Sequence, residues 1–492
     1  MSITPSKEDF LHNASAGRIS PVYLEIPYLK PQELFQKIEG PHSFLLESIK
    51  GPENIARYSF LGRDPVLVIK VKDGAVQIKP PDELPIYSAS PLRVIKDLMK
   101  ACPVTRIDGL PPFTGGAVGL ISYDFVHYLE KLPDSAVDDL DIPDADFMII
   151  DTLISVDHKL RKAYIISNPG AEDTMTGKRD LTCDWDRHYD QACERITKLN
   201  SMIAEPGIPR HPLKLDSAIE IRHEMSKARY MEIVTLTKEY IRAGDIFQAN
   251  LSQRVSADIG DVHPWEVYKL LSSINPAPFA AYLDMGDYHI ASSSPERLVK
   301  VSGREVETRP IAGTRPRGID AEADLKMRTD LLLNEKERAE HLMMIDLERN
   351  DLGKISDYSS VKVDEQMITE EYSHVIHIVS NIKGVLAEGK DCFDAIRATF
   401  PGGTITGVPK VRCMEIIDEL EPVVRGPYTG SIGYIGFTGD MDLNIIIRTF
   451  VIKDSVAYVQ AGAGIVADSD PEREYYETLK KAEALIKTLE ML

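Results

Sequence analysis

The sequence predicts an α+β protein built mainly of antiparallel sheets with helices outside them. Short apolar runs bounded by turn residues recur along the chain. Isolated helical patterns interrupt them, and strands and helices do not alternate as they do in βαβ proteins. A length of 492 residues exceeds one ordinary core, so two or three domains or one unusually large unit are expected.

In chain order, strands are expected at Phe44–Ser48, Tyr58–Gly62, Val66–Val71, Phe147–Ile154 and Ala163–Ser167, with a helix at Pro91–Lys100. The run Phe113–Leu120 is rich in glycine and reads as a strand that needs close backbone approach. Asp186–Ala204 has the spacing of an amphipathic helix. Pro206, Pro209 and Pro212 then mark a linker over Pro206–Asp216, which divides an N-terminal region, 1–210, from a second region, 220–492. Beyond it, Lys227–Ala243 reads as a helix stopped by Gly244, and Phe247–Val255 as a strand. Further strands are expected at Tyr288–Ser292, Leu298–Val301, Val306–Arg309, Ser431–Phe437, Leu443–Ile452 and Ala457–Ala461. Helices are expected at Asp330–Leu347 and Glu472–Leu489.

A formal charge of −20 argues against nucleic-acid or anionic-membrane binding, which would want clustered Lys and Arg. Any anionic substrate must then be met by local cations. Cys102, Cys183, Cys193, Cys392 and Cys413 form no CxxC pair, so neither a disulfide framework nor a zinc site is expected. With no signal-peptide core and no run of membrane-spanning length, a soluble cytoplasmic protein is expected.

Several stretches carry possible chemistry. Phe400–Lys410 is a Gly- and Thr-rich loop feeding a helix that starts just after Pro409. Exposed N–H groups at a helix start attract anions, although a plain structural turn has the same composition. Glu337 with Glu340, and Glu474 with Glu477, are three apart on two expected helices, so each pair shares a face. Such carboxylates can hold a hard divalent ion. More commonly they form a solvated acidic face, here with Lys336, Arg338, Lys480 and Lys481 as partners. Glu296, after a strand end in Ser292–Arg297, suits a general acid if burial raises its pKa, and helix capping by the serines is the other reading. The cationic turn Arg309–Gly318 can grip a carboxylate or merely solvate a loop. His377 alternates with apolar residues, as a satisfied core histidine also would. Gln248 lies inside a strand-like run and needs a hydrogen-bond partner.

Taken together, these residues resemble the chorismate-utilising enzymes, which include anthranilate synthase component I, aminodeoxychorismate synthase component I and the isochorismate and salicylate synthases. The resemblance covers nearly the whole chain and is dense from about Arg229 to Leu489. It runs in order through GDIFQANLSQR, SSSPERL, RPIAGTRPRG, NEKERAEHLMMIDLERNDLG, YSHVIHIVS, FPGGTITGVPKVRCMEIIDELEP, GSIGY, IIIRT, QAGAGIV and PEREYYETLKKA. It implies one large α/β unit in which two antiparallel sheets pack across each other with helices outside. It also implies Mg²⁺ on Glu340 and Glu477, assisted by Glu337 and Glu474, and Glu296 as the acid that protonates the departing C4 hydroxyl of chorismate. Gly403, Thr404, His377, Arg448, Gly462, Gly464 and Lys481 would then hold the ring and its carboxylates.

Water-adding members of the family carry a Lys base where this chain has Gln248, so the resemblance implies ammonia as the nucleophile. None of the cysteines lies in a glycine-flanked elbow, so a separate glutamine amidotransferase subunit is implied as the ammonia source. Leu45-Leu46-Glu47-Ser48 and Arg57-Tyr58-Ser59-Phe60 are similar to a tryptophan-binding segment of the family, to which Asn275 and Pro276 would add. Asn250, Asn275–Tyr282, SSSPER, GGTITG and Leu443–Ile445 look more like aminodeoxychorismate synthases, which make 4-amino-4-deoxychorismate. Anthranilate synthase, making anthranilate and pyruvate, is the alternative. Ala312 stands where some aminodeoxychorismate synthases use a Lys as covalent nucleophile, so that step is not expected here. An inactive metabolite sensor of the same fold would lack the acid or a ligand, and Glu296, Glu340, Glu477 and Lys481 are all present.

Overall fold

A computed structural model describes residues 2–52, 55–80, 86–88, 90–176, 184–205, 219–371 and 375–492. The expected linker over Pro206–Asp216 and Cys183 lie outside them. Among the described residues two sheets of twelve strands each pack face to face. At the middle of the first, Phe44–Glu47 pairs antiparallel with Phe279–Asp284; at the middle of the second, Gly116–Ile121 pairs antiparallel with Ser431–Gly436. Each sheet therefore joins strands from before residue 206 to strands from after residue 218.

Alternation along the strands sorts side chains into layers. Phe44 faces the other sheet, in a core with Phe60, Leu153, Leu283, Val118, Ile150 and Tyr434, while its neighbour Leu45 faces outward. That outer layer holds the helices Pro31–Ile38, Trp185–Ala204, Pro264–Ile274 and Pro471–Glu490 against the first sheet. The helices Pro91–Lys100, Glu335–Gly353 and Cys392–Thr399 contribute buried residues to the corresponding layer on the second. With both faces covered, Gly116–Ile121 and Ala145–Ile150 are buried along their whole length. The glycine-rich strand is close-packed as expected: a Cβ on Gly119 would fall 2.0 Å from the Asp146 carbonyl oxygen.

Three expected elements divide. Phe147–Ile154 becomes Ala145–Ile150 in the second sheet and Thr152–Asp157 in the first. Leu443–Ile452 becomes Met441–Asn444 in the second and Thr449–Lys453 in the first, with Arg448 between them at φ +53°. In both cases the chain passes from one sheet to the other through buried surroundings, so the apolar run continues where the strand does not. The helix expected over Asp330–Leu347 is two helices, Ala321–Leu333 and Glu335–Gly353. Asn334 between them accepts the Glu337 N–H at 3.0 Å, which is the helix-starting role Asn favours. Among the described residues Cys102, Cys193, Cys392 and Cys413 form no disulfide, and no helix is long and apolar enough to cross a membrane.

Candidate active site

The site gathers where the chain changes sheets. His289–Ser294 belongs to the first sheet and Arg297–Ser302 to the second, so Glu296 falls on the link between them. The second link, 445–448, runs beside it: the Ile445 N–H donates to the Glu296 carbonyl at 3.0 Å, and the Ser293 N–H to the Arg448 carbonyl at 3.1 Å. This pairing brings an acid and a guanidinium together from positions 152 residues apart in sequence.

Glu296 is only 6% exposed. Its Oε1 accepts the Thr404 hydroxyl at 3.0 Å and the Ile311 N–H at 3.4 Å. Burial pushes its pKa up to about 7, against the opposing effects of those two donors and of the charges on Arg448 and Lys481. Thr404 sits in the one-turn helix Gly403–Ile405, in the middle of the glycine loop. A Cβ on Gly403 would fall 2.0 Å from Leu347 Cδ2, so glycine is what lets this turn press against the helix Glu335–Gly353.

His377, on the strand Val375–Val385, is 2% exposed, and its Nδ1 lies 3.3 Å from the Gly313 carbonyl oxygen. Burial, together with the Arg448 charge, pushes its pKa down to about 3, so the ring is neutral. A neutral ring facing a carbonyl through Nδ1 carries its proton there, which leaves Nε2 as the acceptor. Gly313 has φ +61°, and a Cβ on it would fall 2.5 Å from Glu337 Oε2. His377 and Glu337 therefore meet on either side of one glycine.

Glu337 accepts Arg315 Nη1 through Oε1 at 2.7 Å, while its Oε2 is buried without a hydrogen-bond partner among the described residues. Glu340 shares its helix, and Glu474 and Glu477 share Pro471–Glu490. Glu477 pairs with Lys481 at 2.9 Å, and Lys481 also donates to the Gly462 carbonyl at 3.1 Å. Among the described residues no three of these side chains close into a metal cage. Mg²⁺ commonly takes one or two carboxylates and completes its shell with water and substrate oxygens. Hard oxygen donors and the orphaned Glu337 Oε2 suit it.

Gln248 opens the strand Gln248–Asp258 beside Gly407–Val408, and Gly462 and Gly464 lie on the adjoining strand Val456–Ile465. Sequence reading missed Arg425. Its side chain is 1% exposed and donates to the Ile405 carbonyl at 3.0 Å, the Asn250 carbonyl at 2.6 Å and Glu421 at 2.8 Å. It ties the glycine loop to the Gln248 strand. The spacing of Glu421 and Arg425 signals a pair, but not that the pair is buried.

Away from this centre, a cavity of about 670 Å³ opens between the sheets, lined among others by Glu47, Ser48, Arg57, Phe279 and Arg297. Glu47 accepts from Gln32 at 2.9 Å and from the Tyr268 hydroxyl at 2.7 Å, and burial raises its pKa. Ser48 donates to the Pro278 carbonyl at 3.1 Å. Asn275 and Pro276 are not among the lining residues; Asn275 donates instead to Ser293 at 3.2 Å, and Pro278–Ala281 take the lining positions.

A buried acid, a neutral imidazole, local cations and paired carboxylates form an arrangement able to protonate and hold a small anion. The model of the chorismate binding enzyme family matches residues 41–487. The chain is 42% identical to aminodeoxychorismate synthase component 1 of Bacillus subtilis, over 96% of this chain and 97% of that one. It is 41% identical to anthranilate synthase component 1 of Acetivibrio thermocellus, over 99% and 98%. Its fold matches anthranilate synthase component I of Streptococcus pneumoniae with a TM-score of 0.75 at 36% identity, covering 93% of this chain and 97% of that one. The chain belongs to the chorismate binding enzyme family.

Proposed function

We propose that this chain aminates chorismate to 4-amino-4-deoxychorismate, using ammonia delivered by a separate glutamine amidotransferase subunit. The observation that carries the reading is Glu296, a carboxyl held protonated near neutral pH by burial and aimed by Thr404. Such a group can give its proton to a departing hydroxyl, which is otherwise a poor leaving group. Arg448 and Lys481 supply the cations that two carboxylates need in a protein of net charge −20. Gln248 stands where a water-activating base would be, and an amide cannot take that role.

Glu340 and Glu477 would hold Mg²⁺, with Glu337 and Glu474 beside them. When bound, the ion supplies positive charge for the ring carboxylate. His377 would accept from the substrate through Nε2, and Gly403, Gly462 and Gly464 would line the pocket beside it.

The second reading is anthranilate synthesis. Relatives of both kinds match to nearly the same extent, and Ala312 offers no amine for a covalent step. Incubating the chain with chorismate, Mg²⁺ and an ammonium salt separates the two. The expected product is converted by a lyase to 4-aminobenzoate; fluorescent anthranilate with free pyruvate would replace this choice by the second. The cavity at Glu47 and Ser48 is the proposed tryptophan site, with Asn275 and Pro276 only adjoining it. Calorimetry with tryptophan is expected to show binding that weakens on Ser48→Phe.

A further inference from the structure

Lys410, the first residue of the helix Lys410–Leu420, closes the glycine loop. A cation is poorly placed there, because the start of a helix favours negative charge. Asp351 is poorly placed in the opposite sense: it sits in the last turn of Glu335–Gly353, where a helix favours cations. The two misplaced charges meet. Lys410 Nζ donates to Asp351 Oδ2 at 2.6 Å, with the Lys410 side chain 15% and that of Asp351 2% exposed. Nζ also donates at 3.2 Å to the carbonyl of Thr399, the last residue of the helix Cys392–Thr399, where an end carbonyl needs a partner.

One ammonium therefore fixes the residue before the loop and the residue after it to the helix that carries Glu337 and Glu340. Asp351 Oδ1 accepts Lys354 at 2.9 Å, but that lysine is exposed, so the buried part of the link is Lys410. A buried ion pair adds little net stability over an apolar substitute. What it does fix is geometry. Between the two held ends lies Thr404, whose hydroxyl donates to Glu296 Oε1 at 3.0 Å.

We propose that Lys410 and Asp351 are positioning residues for the acid, clamping both ends of the glycine loop so that the Thr404 hydroxyl stays aimed at Glu296. The clamp deepens the proposed function, in which Glu296 is the proton donor. Three further groups act on Glu296 by charge. Arg448 and Lys481 favour its ionised form, and Glu348, 6% exposed and one turn before Asp351 on the same helix, is a second buried carboxyl that opposes it. Thr404 also favours the ionised form by donating to it, so a loop that lets Thr404 drift leaves Glu296 harder to ionise.

The test follows the titration of Glu296 in the full chain in two ways: the pH at which kcat/KM for chorismate falls, with ammonium chloride as the nitrogen source, and the infrared carboxyl band that Glu296→Gln abolishes. Thr404→Val, Lys410→Met and Asp351→Leu are each expected to raise the midpoint by about one pH unit, as the loss of a hydrogen bond to a charged group would. Lys410→Met is expected to add nothing to Thr404→Val, and Lys410→Arg, which keeps the cation, to recover most of the shift. Lys410→Gln replaces Lys410→Met if the latter does not fold. Removing a positive charge and removing a negative one push a carboxyl in opposite directions, so opposite shifts in Lys410→Met and Asp351→Leu would be bare charge effects and overturn the clamp. An unmoved midpoint in folded Lys410→Met, or shifts that add in the double variant, overturns it too. A wild-type chain that leaves chorismate untouched overturns the proposed function, while the infrared midpoints still decide for or against the clamp.

Discussion

Glu296 titrates where it can act. Below about pH 7 it keeps the proton the reaction needs, so kcat/KM is expected to fall as pH rises through that value. The effect on stability has the same sign. An unfolded chain releases this proton near 4.5, the ordinary value of a glutamate, so between there and about 7 the folded chain holds more protons, and stability declines as pH rises. Glu296→Gln is expected to lower kcat by roughly 10²–10⁴, measured with chorismate and ammonium. In urea unfolding at pH 8 it is expected to add up to about 3 kcal/mol, with little change at pH 4. At this scale the sequence was partly legible. Glu296 stood out as a carboxylate at a strand end and His377 as a polar break in an apolar run, but their protonation states depend on burial, which spacing does not report. Arg425 gave no such signal, because its importance lies in partners from distant segments.

At the scale of elements, two of the contacts that hold the glycine loop lend themselves to test. Arg425 is one, and its guanidinium lies over the rings of Tyr123 and Tyr428, 4.9 and 5.6 Å from their centres. Arg425→Met leaves buried Glu421 unpaired and is expected to cost roughly 3–5 kcal/mol, read by urea unfolding, with Arg425→Lys recovering only part because an ammonium lacks the planar fork. The other is the contact of Gly403 with Leu347. Gly403→Ala is expected to destabilise by about 1–3 kcal/mol and to lower kcat, and Leu347→Ala made with it is expected to restore part of both, since the two groups compete for one space. The elements read from periodicity mostly lie within a few residues of the observed ones, but Val22–Pro27, Pro31–Ile38, Pro264–Ile274 and Phe279–Asp284, among others, were not read at all. Among those that were read, the divisions at Asp151 and at 445–448 failed. Apolar pattern reports that a residue is buried and is silent about which sheet buries it.

In the whole molecule, both sheets have their seam between the two sequence regions, at Phe44–Glu47 against Phe279–Asp284 and at Gly116–Ile121 against Ser431–Gly436. Segments 1–205 and 219–492, made separately, are expected to lack a cooperative thermal transition alone and to regain one when mixed, as differential scanning calorimetry would record. The mainly antiparallel class was legible from the sequence, and the pairing of sheets from the family resemblance. The seams were not, since strand partners more than two hundred residues apart leave no mark in local pattern. Those seams bear on synthesis. While the ribosome is still making the second region, the first has two strand edges whose partners do not yet exist, and one of those edges, Gly116–Ile121, is apolar throughout. The nascent chain is thus exposed to mispairing with its neighbours for much of its translation, and a chaperone that shields such edges would raise its yield.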